Sequence, residues 1–138
     1  METDSCTGNP DVYSQLCPCR SILDRIADKW TALIIGKLEQ SPLRFNQLRR
    51  AIPGISAKML TQTLRSLECD GMVDRTMYPT MPVTVEYSLT DLGRSLAEPL
   101  VAVRQWAEEH RDEVLAANER FHSTQPPLSP IVANQATF

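Results

Sequence analysis

A stretch of basic side chains between Leu43 and Leu67 is the part of this sequence best equipped for chemistry. Two short helical patterns meet there across Ile52-Pro53-Gly54-Ile55-Ser56, and the stretch contains no acidic residue, although the whole chain has a formal net charge of −3. Cationic side chains on a helix-turn-helix favour contact with DNA phosphates and base edges. The stretch therefore predicts a DNA-binding unit, and its basic residues are Arg44, Arg49, Arg50, Lys58 and Arg65.

Cys17 offers a second kind of chemistry, that of a reactive thiol. Pro18 follows it at what would be the first position of a helix, so its sulfur would lie at a helix N-terminus. The positive end of the helix dipole and the nearby Arg20 favour thiolate over thiol, and an accessible thiolate reacts with oxidants or electrophiles. The alternative is a half-buried cysteine that packs in a dimer interface. Cys17 and the neighbouring Cys19 are the candidate redox-sensing residues.

The remaining cysteines leave several interpretations open. The Cys-Pro-Cys segment is compatible with a metal chelate or a strained disulfide, and Cys6 could resolve an oxidised Cys17. A four-ligand zinc site would also need Cys6, Cys69 or a partner subunit, because the chain has only two histidines, His110 and His122. We expect no metal and no cofactor.

The sequence contains no recognisable catalytic constellation. It has no Gly-rich phosphate loop and no Ser/His/Asp motif. A thiol redox protein, the rival from another functional class, would require Cys-x-x-Cys spacing and a βαβ pattern, and neither is present. We predict that the protein is not an enzyme.

Length and composition predict a single cytoplasmic domain. A chain of 138 residues with 42% hydrophobic content can bury a core. No run approaches the roughly 18 apolar residues of a membrane span, and the polar N-terminus lacks the apolar segment of a signal peptide. Residues 20–89 hold ten Lys/Arg against seven Asp/Glu, whereas residues 1–19 and 90–138 each carry a net charge of −3. Such acidic ends are compatible with DNA binding if they face away from the duplex.

The spacing of apolar residues predicts four helices before residue 72. They would begin at Pro18, at Asp28, at Phe45 or Asn46, and at Ser56, and the fourth would end near Asp70-Gly71. Ser41-Pro42 would stop the second helix, and the next three residues could form a short strand. The inward face of the second helix is predicted to contain Trp30, Leu33, Ile34 and Leu38.

After Gly71 the hydrophobic period changes from about 3.6 to 2, which predicts a β-hairpin with a turn at residues 79–82. Thr90-Asp91 would cap one final long helix, which Pro99 could kink or split. The predicted fold is mainly α with a small β-hairpin wing (α+β), a winged helix-turn-helix with added N- and C-terminal dimerisation helices. It would occupy residues 17–122, between a flexible N-terminal segment, 1–16, and a flexible C-terminal tail, 123–138.

Taken in order, the motifs resemble the HxlR-type transcriptional regulators, a bacterial winged-helix family. The resemblance covers roughly residues 17–107 and implies a dimeric, DNA-binding transcription factor, more often a repressor, some of whose relatives sense electrophiles or oxidants through a cysteine near the N-terminus. The segments that carry it include Cys17-Pro18, Lys29-Trp30, Arg44-Phe45-Asn46-Gln47-Leu48, Ile52-Pro53-Gly54-Ile55-Ser56, Met59-Leu60-Thr61-Gln62, Leu64-Arg65, Asp70-Gly71, Tyr78-Pro79, Val85-Glu86-Tyr87-Ser88-Leu89-Thr90, Leu92-Gly93 and Trp106.

The fourth helix would be the recognition helix, with one apolar face and one polar face. We predict that its polar side chains enter the major groove, where Gln pairs with adenine and Arg or Lys with guanine; the alternative is an ordinary solvated face. The predicted DNA-binding residues are Ser56, Lys58, Met59, Thr61, Gln62 and Arg65 on this helix, Arg44, Gln47, Arg49 and Arg50 before it, and Arg75 and Tyr78 on the wing.

The last helix carries more apolar residues than one small domain can cover, which predicts a homodimer on a pseudo-palindromic operator. The expected partners are double-stranded DNA and a second copy of the chain, with a small electrophile or oxidant as effector. An alternative is a regulator that responds to a small-molecule ligand at the dimer interface, and a further one is a winged helix that contacts only protein.

Overall fold

The computed structural model describes residues 9–124. The chain forms two compact units, Met1–Ala102 and Val103–Phe138. The first unit contains a three-stranded antiparallel sheet in the order β1-β3-β2 and the helices that pack on it. The elements run in the order α1 (Pro18–Ile26), α2 (Lys29–Gln40), β1 (Leu43–Arg44), α3 (Phe45–Ala51), α4 (Ala57–Cys69), β2 (Val73–Tyr78), β3 (Thr84–Leu89), α5 (Asp91–Glu109) and α6 (Arg111–Thr124).

This architecture confirms the predicted mainly helical winged helix-turn-helix with a small β-hairpin. The predicted flexible segments fall largely on residues 1–8 and 125–138, which lie outside the described residues, so the division at 16 and 122 stays a prediction.

Polar side chains fix where the helices of the first unit begin. Asp28 accepts hydrogen bonds from the backbone N–H groups of Trp30 and Thr31, at 3.1 and 3.4 Å. Ser56 Oγ accepts from Met59 N at 3.0 Å. Each satisfies donors that the first helical turn leaves without partners. The sequence predicted both helix starts, and the structure confirms them.

The core of the first unit lies between α2, α3, α4 and the sheet. Trp30, Phe45 and Tyr87 are partly buried and pack against it. Because β2 and β3 pair with Val73 opposite Leu89, both residues point into this core from one face of the hairpin. The largest fully buried side chains are Ile34, Ile35, Leu48, Leu60, Leu64 and Val73.

The inward face of α2 differs from the predicted one. Thr31, Ile34, Ile35 and Leu38 are buried, whereas Leu33 is exposed. These buried positions follow the i, i+3, i+4, i+7 spacing of one helical face, and Leu33 lies outside it. Polar Thr31 fits into the core because its hydroxyl donates to Arg25 O at 3.3 Å.

A close backbone approach joins the hairpin to α5. Thr90 Oγ1 donates to Gly71 O at 2.6 Å and accepts from Gly93 N at 3.1 Å, while Thr90 N donates to Met72 O at 3.0 Å. A Cβ at Gly93 would overlap the backbone carbonyl oxygen of Met72. The predicted cap at Thr90 is confirmed, and glycine is required at position 93.

The prediction of one final helix was wrong, because α5 ends at Glu109 and α6 begins at Arg111. Pro99 lies inside α5 and does not end it. The break falls instead at His110, whose ring stacks on Trp106 with centroids 4.5 Å apart and whose Nδ1 lies 2.9 Å from Trp106 O. In the second unit α6 buries none of its residues and leaves Val114, Leu115 and Phe121 exposed.

Candidate nucleic-acid interface

The outward face of α4 is set by its buried face. Leu60, Leu64 and Leu67 pack into the core, together with Thr63, whose hydroxyl donates to Met59 O at 2.8 Å. Side chains about 100° to 200° around the helix from this stripe must therefore point to solvent. The exposed set contains all the predicted groove-facing residues, Lys58, Thr61, Gln62 and Arg65, as well as Ser56 and Met59 at the start of the helix.

Ser56 and Met59 also stabilise the first turn of α4, in addition to their predicted DNA contacts. The Ser56 hydroxyl accepts the hydrogen bond that begins α4, and Met59 supplies both the donor N–H of that cap and the carbonyl that holds Thr63. The N-terminal turn of α4 is therefore held in place before any ligand binds.

Helix α3 presents Arg49 and Arg50 in its last turn, both exposed. Arg44 is exposed at the end of β1, and its backbone N–H donates to Gln47 Oε1 at 2.8 Å. The Gln47 carbonyl oxygen thus stabilises the start of α3, and its amide N–H groups remain available as donors.

The wing differs from α4 because several of its polar side chains already have partners. Arg75 Nε lies 3.5 Å from Glu68 Oε2. Tyr78 OH donates to Glu86 Oε1 at 3.1 Å, and this hydrogen bond with the carboxylate charge raises the pKa of Tyr78. At the tip, Thr80 Oγ1 lies 2.8 Å from Thr84 Oγ1. Arg75 and Tyr78 are exposed as predicted, but DNA would have to share them with these acids.

The tip of the wing is apolar. Met81 is 97% exposed, and Met77 and Val83 are exposed as well. With Asp74 and Glu86 against Arg75, the hairpin strands carry more acid than base. Any contact that this wing makes with a duplex would therefore depend on shape and apolar surface more than on charge.

A cleft of about 460 Å³ separates α4 from the wing, lined by Thr61, Leu64, Arg65, Glu68, Arg75 and Tyr87. Burial raises the pKa of Tyr87, and the charge of Arg75 partly offsets that rise. In this cleft Arg75 of the wing pairs with Glu68 of α4, and Arg65 lines the same cleft. Sequence periodicity gave no signal for this arrangement, since it pairs residues on different elements.

Cys17 lies at the N-cap of α1, so its predicted place at a helix N-terminus is confirmed. The expectation of an accessible thiolate was wrong for this state, because Cys17 is only 4% exposed and is disulfide-bonded. Cys19 is half-buried and Cys69 exposed, and both are free thiols. Cys6, which could resolve an oxidised Cys17, lies outside the described residues.

An ion pair that the sequence did not predict joins α1 to the end of α4. Arg25 Nε lies 2.7 Å from Asp70 Oδ2 and its Nη2 lies 3.1 Å from Asp70 Oδ1, a bidentate arrangement. The hydrogen bond and charge of Asp70 raise the pKa of Arg25 above its usual value. The residues are 45 positions apart, so only the tertiary fold brings them together.

Within residues 9–124, no three His, Cys, Asp or Glu side chains cluster in a way that could hold a metal ion. No helix of that part of the chain is long and apolar enough to cross a membrane.

Comparison with known proteins matches residues 25–115 to the family described as HxlR-like helix-turn-helix. YtfH of Escherichia coli strain K12, described as an uncharacterized HTH-type transcriptional regulator, is 41% identical over 109 residues, which are 79% of this chain and 86% of that protein.

Solved structures show the same fold. The transcriptional regulator ytfH from Salmonella typhimurium superposes with a TM-score of 0.75 at 39% identity, over 80% of this chain and 99% of that one. The redox regulator HypR superposes in its reduced form with a TM-score of 0.66 at 39% identity, over 72% and 98% of the two chains. Its oxidized form gives 0.63 at 41% identity, over 67% and 96%.

Proposed function

Because this chain belongs to the HxlR-like helix-turn-helix family of DNA-binding transcriptional regulators, which are not enzymes, we propose that it is a homodimeric repressor whose operator affinity responds to thiol oxidation at Cys17. Double-stranded DNA with a pseudo-palindromic site is its ligand, and it acts in the cytoplasm, where chromosomal DNA lies. The observation that carries the DNA-binding part is the exposed, acid-free face of α4 up to Leu67, beside the two exposed arginines of α3.

The DNA contacts divide by element. The exposed residues of the first three turns of α4 supply base contacts, with Gln62 and Arg65 able to form bidentate pairs with adenine and guanine. Arg49 and Arg50 are suited to phosphates, which fix the register of the protein on the duplex without reading sequence.

Exposed apolar surface in each unit supports the homodimer. In the first unit, α1 buries no residue and leaves Ile22 and Leu23 exposed. In the second, Val103, Trp106, Leu115 and Phe121 are exposed. Such surface is costly in water, and a second copy of the chain would cover it with the two-fold symmetry that a pseudo-palindromic operator requires.

The disulfide at Cys17 and the likeness to HypR, a redox regulator known in reduced and oxidized forms, support the thiol response. In the oxidation, two thiols lose two protons and two electrons to the oxidant and form one S–S bond. Cys17 is the N-cap of α1, so formation of this bond would act on the start of that helix.

The test uses a duplex selected from a random library by the reduced protein, with binding followed by fluorescence anisotropy. We expect diamide to lower the affinity of the parent for this duplex and reductant to restore it. Cys17→Ser should bind the duplex like the reduced parent and no longer respond to diamide, because it cannot form the bond.

The Cys6→Ser and Cys19→Ser variants show whether the response to diamide needs either thiol, as it would need a resolving thiol. Cys69→Ser is the matched control. If Cys17→Ser responds to diamide like the parent, the signal enters elsewhere, as a small-molecule ligand would. If the reduced protein selects no sequence from the library, the proposal of sequence-specific binding is wrong.

A further inference from the structure

Helix α1 contacts the core of its unit at its C-terminal end. It buries none of its residues, and Ile26 is the residue that packs partly against the core. Next to it in the chain, the backbone carbonyl of Arg25 accepts a hydrogen bond from the buried Thr31 hydroxyl at 3.3 Å. The main chain at Arg25 is thereby fixed to α2.

The side chain of Arg25 reaches in another direction, to the end of α4. Its two hydrogen bonds to Asp70, of 2.7 and 3.1 Å, use both carboxylate oxygens. Asp70 is the C-cap of α4, and its backbone N–H donates to Ser66 O at 2.9 Å. A planar guanidinium that donates hydrogen bonds to both oxygens of a carboxylate fixes the orientation of the carboxylate as well as the distance between the two groups. Arg25 therefore connects α1, α2 and the C-terminal end of α4.

The electrostatics of the site explain why this arginine matters to α4. A carboxylate at the C-terminus of a helix lies at the negative end of the helix dipole, where it is unfavourable. Arg25 offsets that charge, and it lies in the same shallow cleft as Arg65, Ser66 and Cys69 of α4. The side chains of Arg25 and Asp70 are 44% and 19% exposed, so water screens the pair and its share in global stability is small.

We propose that Arg25 is the positioning residue that couples α1 to the recognition helix, so that a change at Cys17 reaches α4 through the Arg25–Asp70 pair. This inference rests on the proposed thiol response. When the S–S bond forms at the N-cap of α1, with two protons and two electrons passing to the oxidant, α1 shifts, and the bidentate pair transmits the shift to the C-terminal end of α4. Arg25 itself contacts no DNA in this scheme.

The experiment compares the reduced and diamide-treated forms of the full-length protein on the selected duplex, for the parent, Arg25→Ala, Asp70→Asn and the double variant. In the single variants we expect reduced-state Kd and Tm close to those of the parent. The ratio of oxidised to reduced Kd should fall toward 1, by roughly 2- to 30-fold, the usual range for residues along a coupling path. A role in stability alone would move Tm and leave this ratio unchanged.

The double variant tests whether both residues act through one contact. Its Kd ratio should equal that of either single variant, since the pair is already broken. Arg25→Lys keeps the positive charge but cannot form the bidentate contact with Asp70. This variant should therefore retain only part of the response to diamide. Lys37→Ala is the matched control, because it removes one positive charge from α2 and should respond like the parent.

The outcomes separate this inference from the proposed function. A parent that responds to diamide together with an Arg25→Ala variant that responds equally would overturn the coupling and leave the thiol response intact. Additive effects in the double variant would also overturn it. A parent that does not respond at all would overturn both. Should Arg25→Ala fold poorly, Asp70→Asn and Arg25→Lys carry the same test.

Discussion

At the scale of single residues, the rotation of α4 decides which side chains a duplex could meet. Leu60, Leu64 and Leu67 are buried, and one residue of slip would turn the helix by about 100° and replace Arg65 by Ser66 or Leu64 on the outward face. The contacts of the core thus determine the chemistry of the surface.

We expect Arg65→Ala and Gln62→Ala to weaken binding to the selected duplex by about 1–3 kcal/mol, because each removes a bidentate base contact. Binding to a scrambled duplex should change much less. Anisotropy titrations on both duplexes measure the difference. Equal losses on both would show that these residues do not read bases.

Arg49→Ala and Arg50→Ala should act differently, since phosphate contacts are independent of sequence. Affinity for both duplexes should fall together, and the slope of log K against log salt concentration should decrease by about 0.9 for each phosphate that the variant no longer neutralises. Lys37→Ala on α2 serves as the charge-matched control. A salt slope like that of the parent would exclude a phosphate contact.

Gly93 is a residue-scale constraint of another kind. We expect Gly93→Ala to lower the free energy of unfolding by roughly 1–3 kcal/mol, because the new methyl group would overlap Met72 O. Urea unfolding of the reduced protein measures it, with the exposed Glu98→Ala on the same helix as control. Unchanged stability would mean that the strand and helix can separate without cost.

At the scale of elements, the start of α4 depends on a single hydroxyl. Ser56→Ala should destabilise the domain by about 0.5–2 kcal/mol, since the N–H of Met59 loses its acceptor. Thermal unfolding followed by circular dichroism reports the loss, and Ser66→Ala, exposed on the same helix, should have little effect. A parent-like Tm for Ser56→Ala would show that water replaces the cap fully.

Local signals in the sequence predicted most of these elements. Asp28 and Ser56 at N-caps, Ser41-Pro42 as a stop, Gly71 at a positive φ of 79° and the alternation through β2 and β3 each act within a few residues. The outward face of α4 followed from its periodicity in the same way. These features need no knowledge of the tertiary fold.

Features that depend on tertiary contacts were missed. The Arg25–Asp70 and Arg75–Glu68 pairs join separate elements, so no local pattern indicates them. Leu33 was misplaced because α2 contains apolar residues on several sides, and burial of Thr31 depends on a carbonyl supplied by α1. The break at His110 was missed because apolar residues recur with helical spacing on both sides of it.

At the scale of the whole molecule, charge and apolar surface are distributed by segment. Basic residues outnumber acidic residues within residues 20–89, and acidic residues outnumber basic ones within residues 90–138. The first distribution suits a polyanion, while the apolar residues exposed on α1 and on α6 suit a second copy of the chain.

We expect sedimentation velocity at micromolar concentration to give a dimer, and Leu115→Glu and Ile22→Glu to shift it toward monomer, because each would place a charge in an apolar interface. Ala117→Glu, about 200° around α6 from Leu115, is the matched control. A parent that sediments as a monomer and still binds the selected duplex would contradict the dimer.

The ring stack of Trp106 on His110 also gives the molecule an optical property. The chain has two tryptophans, and Trp30 lies partly buried in the first unit while Trp106 is 56% exposed in the second. The environment of an indole sets its fluorescence, and burial of an exposed indole shifts its emission to the blue. In a Trp30→Phe variant the emission would therefore report only the stack on His110 and the covering of α5, whereas Trp106→Phe would leave a spectrum of the first unit alone.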